Sequence, residues 1–194
     1  IYLCDSGGQY KYGTTDITRT ICLGKQSNKI KNIFTYVLKG HIAVANSNLN
    51  RLKSAHLIDI LARKYLKENG LDYPHGTGHG VGYFLNVHEG PIAISKGYKI
   101  KLKPGHVISN EPGFYKKGKF GIRIENMIYV KQIKNRVFFE NLTMVPIDKE
   151  LINFNLLNRN EKNYLLNYNL RIYSNVEKYL NYKEKFWLLS QFWN

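Results

Sequence analysis

LDYPHGTGHGVGYFLNVHEG, residues 71–90, divides the chain into two parts of different character. Glycines at 76, 78, 80 and 82 are too many for a helix, since each one inside a helix costs about 1 kcal/mol relative to alanine. Before this stretch the pattern is helical. Ile30, Ile33, Phe34, Val37, Leu38, Ile42 and Ala43 recur at three- and four-residue spacing, the signature of an amphipathic helix. A second helix is expected from Ser54 to Glu68, with Leu57, Ile60, Leu61 and Tyr65 as its buried face and Asn69-Gly70 as its left-handed stop. Further upstream, residues 1–23 read as two strands, IYLCDSG and TTDITRTICLG, joined by a polar turn around Gln9–Gly13. Downstream, short strands are expected around Lys99–Leu102, His106–Glu111, Phe120–Lys131 and Arg136–Met144. A helical tail follows from Asn160 with Leu165, Ile172, Val176 and Leu180, and ends in the aromatic run Phe186–Trp193. Strands, then helices, then strands predict an α+β domain with no nucleotide-binding βαβ repetition.

Composition narrows the function classes. At 194 residues with 43% hydrophobic and 13% aromatic content, the chain can bury a sizeable core and is not disordered. No run of eighteen apolar residues occurs, so no membrane-spanning helix is expected. The formal charge of +15 raises nucleic acid as a partner, but the lysines are scattered among asparagines instead of forming one dense track. Nucleic-acid binding is therefore not the preferred reading. Cys4 and Cys22 have no CxxC or Cys/His companion and read as two reduced cysteines of an intracellular protein. The chain opens on Ile1 inside an apparent strand, as a fragment or processed piece of a longer protein would.

Asp5, Asp16, His79, Glu111 and Glu125 carry the chemistry. Four carboxylates and one imidazole form an oxygen-rich set, too acidic for structural zinc and suited to a pair of hard or borderline divalent ions. Two such ions about 3.5–4 Å apart turn water into hydroxide and polarise a carbonyl near neutral pH. A dinuclear metallohydrolase is the expectation. Each residue also has a plainer reading. Asp5 in Asp-Ser-Gly could be a turn aspartate, Glu111 a solvated acid at a strand end, and His88 a surface loop histidine. If the first two strands pair as a hairpin, Asp5 and Asp16 can share one face, with Thr14, Thr15 and Thr18 orienting them. His75 and His79, separated by glycines, are poor core material, because each ring needs polar partners. In GIRIEN, residues 121–126, Ile122 and Ile124 face one way and Arg123 and Glu125 the other, which suggests a partly buried polar network or, more plainly, a surface ion pair. His41, His56 and His106 lack such surroundings and read as structural.

Together, DSGGQYKYGTTDITRT (5–20), HGTGHGVGYFLNVHEGP (75–91), SNEPGFY (109–115) and FGIRIEN (120–126) resemble the catalytic domain of the aminopeptidase P family, the Xaa-Pro aminopeptidases of pita-bread fold. The likeness extends through FTYVLKGHIAV (34–44) and LTMVPID (142–148), and the histidine motif is similar to the eukaryotic cytosolic type. The resemblance implies an α+β pita-bread fold lacking its N-terminal side, with residues 1–150 as the C-terminal part of the catalytic domain and 151–194 as a helical extension packed on it. It implies hydrolysis of the Xaa-Pro bond by a metal-bridging hydroxide, with two divalent ions, manganese before zinc or cobalt. Asp5 would bind one ion, His79 and Glu111 the other, and Asp16 and Glu125 both. Glu111 would shuttle the proton to the leaving nitrogen, His88 stabilise the oxyanion, His75 line the proline subsite and Arg123 hold the ligand network. Peptides with proline second, a cytoplasmic location and a homodimer of the full-length protein are implied as well. A prolidase- or methionine-aminopeptidase-like peptidase, or an inactive peptide-binding relative of the same fold, are the alternatives. Tyr12 departs from the family, which commonly has an acidic residue in this turn.

Overall fold

A computed structural model of the chain describes residues 1–52, 54–83 and 86–192. Phe84 and Leu85 of the histidine-rich stretch and Trp193 of the aromatic run therefore lie outside the described residues. The chain opens on a hairpin, β1 (Tyr2–Tyr10) and β2 (Gly13–Ile21), and continues through α1 (Asn28–Ala45) and α2 (Ala55–Lys67). Seven short strands follow: β3 (Gly78–His79), β4 (Ala93–Ile94), β5 (Val107–Asn110), β6 (Gly113–Lys116), β7 (Phe120–Arg123), β8 (Asn126–Ile133) and β9 (Arg136–Asn141). After two 3-10 turns come α3 (Arg159–Val176) and α4 (Tyr182–Ser190). The class is α+β, and among the described residues pairing is antiparallel in four small sheets: β1-β2, β3-β4, β5-β8-β9 and β6-β7.

The hairpin is tighter than expected. Only Lys11 and Tyr12 form the turn, closed by the pair Tyr10 and Gly13, where φ of +150° suits glycine. Register pairs Asp5 with Thr18 and Gly7 with Asp16, so both aspartates fall on one face, as their spacing suggested.

Helix α1 starts at Ser27, whose side chain accepts from the Ile30 N–H, and buries Ile33, Phe34, Val37, Leu38 and Ile42. With Ile122 and Ile124 from below and Leu165, Tyr168 and Ile172 of α3 from the side, these make one of two core clusters. The other joins Ile58 and Ala62 of α2 to Ile108, Ile128 and Val130 of β5 and β8. Each fully buried Leu, Ile or Val side chain contributes about 1.5–3 kcal/mol, so α1 and α2 clamp the strands from one side. The capping box of α3, Asn158 with Glu161, also anchors it to α1, because Lys39 Nζ lies 2.7 Å from Glu161 Oε2.

Three expectations need correction. The buried face of α2 is not Leu57 and Ile60, which are 41% and 50% exposed; it is Ala55, Ile58, Asp59, Ala62, Arg63 and Leu66. Asp59 and Arg63 bury themselves as an ion pair of 2.9 Å, a hidden polar face that hydrophobicity cannot mark. Lys99–Leu102 is not a strand; the Tyr98 and Ile100 carbonyls instead accept from the His56 and Ala55 N–H groups that open α2. The single strand expected over Phe120–Lys131 breaks between Arg123 and Asn126, where the chain leaves β6 for β5 and β9. Glu125 sits at that junction, its N–H donating to the Thr18 carbonyl at 3.1 Å.

Candidate metal centre

Every element that meets near Glu125 brings one chemically active side chain. The β7–β8 junction supplies Glu125, the hairpin supplies Asp5 and Asp16, β3 supplies His79, and the residue after β5 is Glu111. Strand β3 is held in place twice: the Glu111 N–H donates to the Thr77 carbonyl at 2.8 Å, and the His79 N–H donates to Ser109 Oγ at 2.9 Å. Gly78 is required by this closeness, since a Cβ there would overlap the Ser109 carbonyl.

One ligand atom each from Asp16, His79 and Glu125 lie within 4.8 Å of one another. His79 Nε2 is 3.4 Å from Asp16 Oδ2 and 3.2 Å from Glu111 Oε1. Asp16 and Glu125 are 8% and 2% exposed, whereas the Asp5 side chain is 51% exposed and pairs with Arg123. All five residues line one cavity of about 520 Å³, together with His88. The His88 ring stands edge-on to His79, with centroids 4.0 Å apart.

Two of the residues named from sequence are not in that cavity. His75 lies behind it, its Nε2 2.8 Å from the Tyr115 hydroxyl. Arg123 donates from Nη1 to the same hydroxyl at 3.1 Å, from Nε to Thr18 Oγ1 at 2.9 Å, and from Nη2 to Asp5. A continuous path therefore runs from His75 through Tyr115 and Arg123 to Asp5. Thr18 in turn donates to Glu125 Oε2 at 2.6 Å, which joins Arg123 and Glu125 in a buried network and not a surface ion pair. Sequence reasoning gave no role to Tyr115, to Ser109 (whose hydroxyl donates to Glu111 Oε1 at 3.0 Å), or to Arg19 beneath Glu125. All three sit inside the quoted motifs; only the contacts they make in the fold mark them out.

The electrostatics fit a multivalent cation. Burial, with the charge of Glu111 and then of Asp16 and Asp5 adding to it, pushes the Glu125 carboxyl up to about 7 against the opposing Thr18 hydrogen bond. Burial works against the His79 imidazolium, but hydrogen bonds to Asp16 and Glu111 outweigh it and push His79 up to about 10. Carboxylates crowded enough to raise their own affinity for protons form a donor set that favours divalent cations. The oxygen-rich mix with one imidazole suits hard or borderline divalent ions.

Small antiparallel sheets backed by helices around an acidic, histidine-bearing cleft are the frame of the pita-bread metallopeptidases. The chain belongs to metallopeptidase family M24: that family's model matches residues 1–132, and the C-terminal region of peptidase M24 matches residues 136–192. It is 50% identical over 190 residues to a probable Xaa-Pro aminopeptidase P of Botryotinia fuckeliana, covering 92% of this chain and 29% of that protein. The crystal structure of an X-prolyl aminopeptidase from Caenorhabditis elegans, described as a cytosolic enzyme with a di-nuclear active site, is 38% identical with a TM-score of 0.91, over 98% of this chain and 33% of that one. The prolidase from Pyrococcus furiosus is 32% identical with a TM-score of 0.64, over 73% of this chain and 40% of its own. The chain thus spans about a third of the length of its aminopeptidase relatives.

Proposed function

We propose that this chain carries the dinuclear centre of an Xaa-Pro aminopeptidase, which removes the first residue of peptides with proline second. The observation that carries the proposal is the convergence of Asp16, His79 and Glu125 within 4.8 Å, in a cavity that Asp5 and Glu111 also line. Asp16 and Glu125, the two buried carboxylates of the five-residue set, would hold both ions; Asp5 would hold one, and His79 with Glu111 the other. When bound, two divalent ions, manganese before zinc or cobalt, would supply hydroxide at neutral pH and an electrophile for the scissile carbonyl.

The chain's own residues do the rest. Ser109 and Arg123 orient Glu111, with Arg123 Nε 4.0 Å from its Oε2, so that its carboxyl can carry a proton to the departing proline nitrogen. His88, on the cavity wall beside His79, donates to the developing oxyanion. His75, tied to Arg123 through the Tyr115 hydroxyl, is assigned to the proline subsite beside the cavity. In this proposal residues 1–150 are the catalytic part and 151–194 the helical extension, and the full-length protein is a cytoplasmic homodimer. Among the described residues no helix is long and apolar enough to cross a membrane. A prolidase-like activity is the second reading. Coverage of 98% of this chain by the aminopeptidase structure, against 73% by the prolidase, supports the first.

The test is hydrolysis of Xaa-Pro-containing peptides by the full-length protein, before and after chelation and with manganese restored. Release of the first residue from tripeptides and longer peptides, lost on chelation and recovered with manganese, is expected. Cleavage confined to dipeptides would favour the prolidase reading, and no cleavage with two ions bound would overturn both.

A further inference from the structure

Beneath the acidic cluster lies a buried cation that meets no carboxylate. Arg19, on the same strand as Asp16, is 7% exposed. Its Nε donates to the Pro146 carbonyl at 2.9 Å, and Nη1 to the carbonyls of Thr18 at 2.9 Å and Glu125 at 2.6 Å. Nη2 donates to Asn126 Oδ1 at 2.7 Å, the Val145 carbonyl at 2.7 Å and the Tyr168 hydroxyl at 3.1 Å. Among the described residues no carboxylate oxygen lies within ion-pair distance of it. A charge buried among neutral acceptors is costly, and such a fork persists where it holds a geometry. Here that geometry is the backbone of Glu125: its N–H is fixed by the Thr18 carbonyl and its C=O by Arg19.

The fork is closed from a distant part of the chain. Tyr168, on α3 and 4% exposed, accepts from Arg19 and from Asn126 Nδ2 at 3.2 Å, and its hydroxyl reaches the Val145 carbonyl at 2.9 Å. Asn126 directly follows Glu125 and pairs in register with Asn110, which directly precedes Glu111. One phenol hydroxyl thus touches the groups that fix two of the candidate ligands.

We infer that Tyr168 and Arg19 form a positioning clamp, through which the C-terminal region sets where Glu125 presents its carboxylate to divalent ions. The inference rests on the metal centre proposed above. Charge alone predicts the opposite effect, since a buried cation beside a metal site repels the incoming ion and its removal should tighten binding.

The experiment is Mn²⁺ titration by calorimetry, with the electron paramagnetic resonance spectrum of the bound ions, on the full-length protein and three variants. Tyr168→Phe removes one hydroxyl and no charge; at least one ion should bind about 10- to 100-fold more weakly, the usual effect of losing a group that orients ligands. Arg19→Lys keeps the charge, loses the fork, and should weaken binding too. Thr35→Val removes the hydroxyl that accepts from the Asn153 N–H at 2.8 Å, another anchor of the C-terminal region that does not touch Arg19, and should leave binding unchanged. Wild-type affinity in Tyr168→Phe or in Arg19→Lys, or equal weakening in Tyr168→Phe and Thr35→Val, would overturn the clamp and leave the metal centre standing. A wild-type protein that binds no divalent ion would overturn both.

Discussion

Glu125 is where backbone, side chain and charge all converge, so single substitutions there are informative. Its carboxylate is 2% exposed and hydrogen-bonded to Thr18, and Glu125→Gln keeps that shape while removing the charge. At least one of two bound manganese ions should be lost, and metal analysis finding two ions per chain in the variant would remove Glu125 from the ligand set. His41 shows the opposite relation of charge to fold. It is fully buried on α1 with Nδ1 3.2 Å from the Asn110 carbonyl, and burial, helped by the charge of Arg19, pushes it from 6.5 down to about 3. The fold therefore holds His41 neutral, while the unfolded chain takes up a proton once pH falls below about 6.5. Stability tied to this residue is full above that value and declines as pH drops toward 3, by about 1.4 kcal/mol for each pH unit. Glu125 and His79, both raised, act in the other direction, so the test is a difference: urea unfolding of the wild type minus His41→Leu, followed from pH 7.5 to 4.5. A difference that stays constant with pH would mean that His41 titrates alike in both states. Residue types were legible because the chemistry demands them: carboxylates and imidazole for ions, threonine hydroxyls to orient them. Arg19, Tyr115 and Ser109 were not, because their tasks depend on contacts that only the fold makes: Arg19 with Glu125, Tyr115 with His75 and Arg123, and Ser109 with His79 across β3 and β5.

At the scale of elements, α2 separates pattern from packing. Its apolar residues Leu57 and Ile60 face outward, and the inner face is built of Ile58, Ala62 and Leu66 around the Asp59–Arg63 pair. Asp59 Oδ1 accepts from the Thr77 hydroxyl at 2.6 Å and Arg63 donates to the His75 carbonyl at 2.5 Å, so the polar face of α2 props the loop that leads to His79. A helix read by hydrophobicity alone turns that face to solvent. Ile58→Ala should cost about 2–5 kcal/mol, as large-to-small core substitutions do, while Leu57→Ala should stay within about 0.5 kcal/mol. Chemical denaturation of the two variants decides between the faces; equal losses would mean that both sides of α2 are packed. The hairpin was legible for a related reason. Alternation over 13–21 leaves one register that puts Asp16 beside Asp5, and a slip of one residue would turn every side chain over. The break at Ile124–Glu125 was not legible, because local sequence does not say that a strand will exchange one partner for two others.

For the whole molecule, the order of strands, helices and strands was readable, but not the division into four sheets of at most three strands. Pairings such as β5 with β8 join segments separated by another hairpin, and only the tertiary core selects them. Sheets this small are weakly cooperative by themselves, and two things tie them together. One is the pair of cores under α1 and α2. The other is the acidic centre, whose residues come from the hairpin, from β3, from the end of β5 and from the β7–β8 junction. In that arrangement bound ions would act as a cross-link between sheets, and they would also relieve the repulsion from Glu111, Asp16 and Asp5 that adds to burial in raising the Glu125 carboxyl to about 7. A ligand at 100 times its dissociation constant stabilises the state that binds it by about 2.7 kcal/mol. For a chain of 194 residues each kcal/mol moves the midpoint by about 2–4 °C, so saturating manganese should raise melting by about 5–10 °C over the chelated protein. The gain should shrink in Glu125→Gln and should persist in a variant altered only at His88, which lines the cavity but is not assigned as a ligand. If calorimetry shows two ions bound while scanning calorimetry shows the same midpoint with and without them, the ions bind the unfolded chain as tightly as the folded one, and the folded centre is not a site built for them.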